Sequence, residues 1–224
     1  MSQALPPEPR FYELSDLLKA YAYSGFTFTD TAETPGPGLA SYLRIAARDP
    51  ARAETAVHQI EDLLSVGLFS EEIADDVEDL PHIRPPMGTT VEDCLRIARD
   101  HLNRLLEDPS RIPQTNPQNS WEWNERFPQL SQFLGGYLHR NYSEFHARPE
   151  DAIDEYVTEV DPEDRTQAAQ EITELLTMVS SDQELGTAAT ALGLDLLPPE
   201  GMSLRQWLEL IRRRITAGDQ PSDA

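Results

Sequence analysis

The chain has 224 residues, 40 acids against 18 Lys and Arg, a formal net charge of −22 and 39 % apolar residues. That excess of negative charge repels nucleic acid and anionic membranes, and no apolar run approaches the roughly 20 residues of a bilayer-spanning helix. A single cysteine, Cys94, excludes an intramolecular disulfide and a cysteine-built zinc cluster.

The opening MSQALPPEPR lacks the basic-then-apolar pattern of a secretory signal, so a cytoplasmic location is expected. From Phe11, FYELSDLLKAYAYS has apolar residues at helical spacing. FTFTDT, Phe26 to Thr31, is the one strand-like fragment, and GPG at Gly36 to Gly38 reads as a turn. It is not a phosphate loop, because the supporting strand and the Lys-Ser/Thr pair are missing. DPARAETAVHQIEDLLS from Asp49 starts a helix with a side-chain acceptor at the cap and a proline in the first turn. EEIADDVEDL, Glu71 to Leu80, follows, and Thr89 or Thr90 opens the next helix. Residues Glu107 to Asn119, with three prolines, read as a linker.

Past the linker the pattern returns. Phe127, Leu130, Ser131, Leu134 and Tyr137 align with Phe11, Leu14, Ser15, Leu18 and Tyr21. DPEDRTQAAQEITELLT from Asp161 aligns with the Asp49 helix, setting Glu171 on Gln59, Ile172 on Ile60 and Leu175 on Leu63. Further on, Ile73 faces Leu185, Leu80 faces Leu192 and Cys94 faces Trp207. The expected fold is all-α, two tandem and similar units of about five helices each. The expected boundaries are a diverged first unit at 8–108, a linker at 109–120, a second unit at 121–217 and a polar tail at 218–224.

Gly135 and Gly136 interrupt the second copy's opening helix, at a cost of about 1 kcal/mol each against alanine. The first copy carries Lys19 and Ala20 there. Close packing inside the unit is the favoured reason for the glycines, contact with a partner the alternative. Lys19, the chain's only lysine, is expected to reach out from a half-buried site.

The second half resembles one family of immunity proteins from bacterial contact-dependent growth inhibition systems. The residues that carry the likeness are FPQLSQFLGGYLHR from Phe127, RPEDAIDEYV from Arg148, EITELLTM from Glu171 to Met178, and LPPEGMSLRQWLELIRRRI from Leu197. The resemblance implies a small helical cytoplasmic protein that binds and blocks a co-encoded toxin domain, in many such systems a nuclease. The first half lacks the glycine pair, has a longer insertion around TAETPGPG and places Cys94 at the tryptophan position.

No catalytic pattern stands out. His58, His82, His101, His139 and His146 are scattered, and no HExxH or GxSxG is present. No catalytic residue, metal ligand or cofactor is therefore expected. The acids are concentrated: six in the ten residues Glu71 to Leu80, and eight between Pro149 and Asp164. Helical spacing turns Ile73 and Val77, and Ile153 and Tyr156, inward and the acids outward. They form either a solvated face or a decoy surface for a cationic groove on a partner. The candidate toxin-binding residues are Glu71, Glu72, Asp75, Asp76, Asp79, Glu150, Asp151, Asp154 and Glu155, with Trp121 and Trp123 either packing the two units together, the favoured reading, or standing as exposed interface anchors. Arg212 to Arg214 suit a helix C-terminus. The expected partner is a basic toxin domain, with no direct contact to nucleic acid or membrane and a monomer when free. A helical scaffold for another basic protein is the second reading.

Overall fold

A computed structural model describes residues 9–68, 70–113, 115–139, 141, 144, 146 and 148–217. It is all-helical, with eleven α-helices and no strand among the described residues. The strand-like FTFTDT contributes one isolated bridge between Thr27 and Arg84. A single pairing of this kind cannot be extended into a sheet. The chain divides into two compact units, Met1–Thr115 and Asn116–Ala224. The division falls inside the proline-rich stretch, and the tail from residue 218 lies outside the described residues.

The first unit holds α1 (Tyr12–Lys19), α2 (Pro37–Ala46), α3 (Pro50–Val66), α4 (Ala74–Glu78) and α5 (Val91–Glu107). Asp49 accepts a hydrogen bond from the Ala51 N–H and Pro50 occupies the first turn, so α3 starts as its sequence dictates. Thr90 starts α5 through a reciprocal capping box with Asp93. The Thr90 hydroxyl and backbone N–H hold the Asp93 carboxyl below its ordinary range. GPG turns out to be a helix start: Gly36 is the cap and Pro37 the first residue of α2. Gly38 is required by packing, because a Cβ there would lie 2.6 Å from the Tyr21 ring.

The second unit holds α6 (Ser120–Arg126), α7 (Pro128–Tyr137), α8 (Pro149–Glu159), α9 (Pro162–Met178), α10 (Asp182–Ala191) and α11 (Leu204–Ala217). That is one helix more than expected, and the addition is α6. Asn119 caps it by accepting from the Glu122 N–H. Asp161, the counterpart of Asp49, makes no side-chain cap, although Pro162 still sets the first turn of α9. Trp207, Phe127, Phe133, Leu130, Ile172 and Leu175 are fully buried in one cluster.

The units make the same contacts at aligned positions. In each, the long central helix, α3 or α9, packs on the opening helix and on the last one. The Leu14 N–H donates to Gln59 Oε1 at 2.8 Å, and the Leu130 N–H donates to Glu171 Oε2 at 2.8 Å. Both are buried and replace the intrahelical partner that a first-turn N–H lacks. Arg10 pairs with Asp62 at 2.9 Å and Arg126 with Glu174 at 2.6 Å. Each guanidinium also lies over the next residue's ring, Phe11 at 5.4 Å and Phe127 at 5.5 Å. Cys94 and Trp207, paired by alignment, are both in the core, and burial pushes the Cys94 thiol up to about 11.

Burial raises the Glu171 carboxyl, while the N–H of Leu130 opposes the shift. A raised folded-state value favours folding at low pH and loses that advantage as pH rises through it. Glu171→Gln keeps the acceptor and removes the titration, so its melting temperature relative to the parent should increase from acidic to neutral pH. Gln59→Ala and Glu171→Ala should each cost about 1–3 kcal/mol in chemical denaturation, because each strands a buried N–H.

Candidate functional site

The two acidic segments present different surfaces. Around α4, Glu71, Glu72, Asp75, Asp76 and Asp79 are all exposed, while Ile73 anchors the segment in the core. Arg10 lies 3.7 Å from Glu72 and 3.9 Å from Asp76 and is already committed to Asp62. Among the described residues, Glu71, Asp75 and Asp79 have no ion-pair partner. Their negative charge is free to act on the surroundings.

On α8 most of the acids are engaged within the unit. Asp154 takes both arms of Arg214, at 2.7 and 2.6 Å, joining α8 to α11. Glu155 lies 2.8 Å from His146. Asp151 accepts from the backbone and guanidinium of Arg148, which hold its carboxyl below the usual range. Glu150 is half-buried. Ile153 and Tyr156 face the core, and burial pushes the Tyr156 phenol up to about 12. Charge reversal on α8 would therefore disturb the unit itself, whereas reversal of Asp75 or Asp79 breaks no ion pair among the described residues.

The tryptophans separate as well. Trp123 is in the core, stacked on Phe127 at 5.9 Å, and offers a partner little area. As an exposed anchor it is ruled out by its own burial, 7 % exposed. Trp121 is half-buried. Beside it Glu122 is buried and accepts from the Gln118 N–H and the Asn119 amide. Arg212 pairs with Glu209, so two of the three terminal arginines have acid partners.

One concavity coincides with the free acids. A groove of about 300 Å3 lies between α1 and the α4 segment. Pro9, Phe11, Tyr12 and Leu80 give it an apolar lining, and Asp16, Asp75, Asp76 and Asp79 give it negative walls. Tyr12 is 39 % exposed. Lys19 also lines it, exposed and paired with Asp16 at 2.8 Å rather than emerging from a half-buried site. Periodicity placed these acids outward, but it could not show that α1 and α4 flank a groove, since that depends on tertiary packing.

The glycine pair divides in role. Gly193, at φ +96, would put a Cβ 2.7 Å from the Gly135 Cα, so two backbones meet there. A Cβ on Gly135 would make ordinary contact, 3.8 Å from the Gly193 Cα, and one on Gly136 would meet nothing within 4 Å. The close approach inside the unit is real, but the residue that must be glycine is Gly193. Among the described residues, no internal packing requires glycine at 136.

Among the described residues, no group of three or more His, Cys, Asp or Glu side chains has the arrangement of a metal site. Among the described residues, no helix is long and apolar enough to cross a membrane.

Residues 126–215 match the family model of the CdiI immunity protein. No curated protein and no solved structure matches the chain.

Two substitutions separate the glycines' roles. Gly193→Ala should destabilise the protein by about 1–3 kcal/mol, through backbone strain and the clash with α7. Gly136→Ala should raise stability by up to about 1 kcal/mol, as expected at an open helical position. Thermal melting of the purified variants reads both.

Proposed function

Since residues 126–215 match the family model of the CdiI immunity protein, we propose that this chain binds the toxin domain of a contact-dependent growth inhibition system and neutralises it. The block falls on the toxin's active site or on its substrate path, and the chain contributes no catalysis. Steric and electrostatic occlusion needs only a complementary surface, held rigidly enough to exclude substrate. The family match carries this reading. The free acids on α4 support a basic toxin, of which a nuclease is the leading example, because a groove built to hold phosphates is cationic.

In this reading the first unit is a diverged copy of the second. The paired bonds Leu14–Gln59 and Leu130–Glu171, and the paired bridges Arg10–Asp62 and Arg126–Glu174, support it. The free chain is a cytoplasmic monomer that meets its toxin inside the cell. A net charge of −22 steers the encounter.

Co-expression with the C-terminal domain of the large secreted protein encoded beside it should rescue cells from that domain, and the two should co-purify. The association rate should fall at least about tenfold as salt is raised from 50 to 500 mM. Death of the co-expressing cells, with no complex, would contradict the proposal; a salt-independent rate would contradict the electrostatic part alone.

A further inference from the structure

We draw no further inference here: the strongest candidate, the groove between α1 and the α4 segment with Asp16, Asp75, Asp76 and Asp79 on its walls, carries nothing because nothing in the structure shows what covers it.

Discussion

Each unit depends on one buried hydrogen bond between its opening helix and its central helix. A helix leaves its first N–H groups without partners, and a helix start placed in a core cannot turn to water for them. Gln59 solves this for α1 and Glu171 for α7. The bond fixes where the opening helix begins against the long helix, and the neighbouring Arg–acid bridge and ring contact reinforce the same corner. With the opening helix pinned, its apolar side can bury Leu14 and Leu18, or Leu130 and Leu134, against the helix behind it. The acid in the second unit carries a desolvation cost that the amide in the first avoids, so the two solve one geometric problem with different chemistry.

The heavy acidic load has two uses. On α8 the carboxylates join elements: Asp154 joins α11 through Arg214, and Asp151 holds the helix start through Arg148. On α4 they are held out on a short helix whose anchor is Ile73. Composition alone cannot separate these cases, because an acid in a bridge and an acid in water count equally toward net charge. Only the second kind projects a field that a partner can feel. The same distinction makes the α4 face, rather than the α8 face, the stronger candidate for electrostatic steering.

Much of the fold was legible in the sequence because helical periodicity and caps are local. The Asp-Pro start of α3 and the threonine start of α5 follow from a few adjacent residues. The misses are tertiary or weakly signalled. Helix α6 is short and polar except for its tryptophans, so no apolar period marks it, although Asn119 three residues before Glu122 is a cap signal that could have. Trp123, expected either to pack the two units together or to stand exposed, is instead held in the second unit's core by stacking on Phe127. Gly193 held the packing role that the Gly135–Gly136 pair suggested, a relation between residues far apart in sequence. The groove depends on α1 meeting α4, which no window of sequence contains.

These features suit inhibition by occupancy. The helical scaffold fixes the surfaces by core packing. Native mass spectrometry of the purified chain titrated into the toxin domain, alongside the toxin's activity, tests this most directly. The account predicts inhibition that is complete at one chain per toxin, a 1:1 complex whose mass is the sum of its parts, and full recovery of activity when the complex is dissociated. Inactivation by a small fraction of one equivalent, leaving a toxin of altered mass or one that stays inactive after separation, would contradict it.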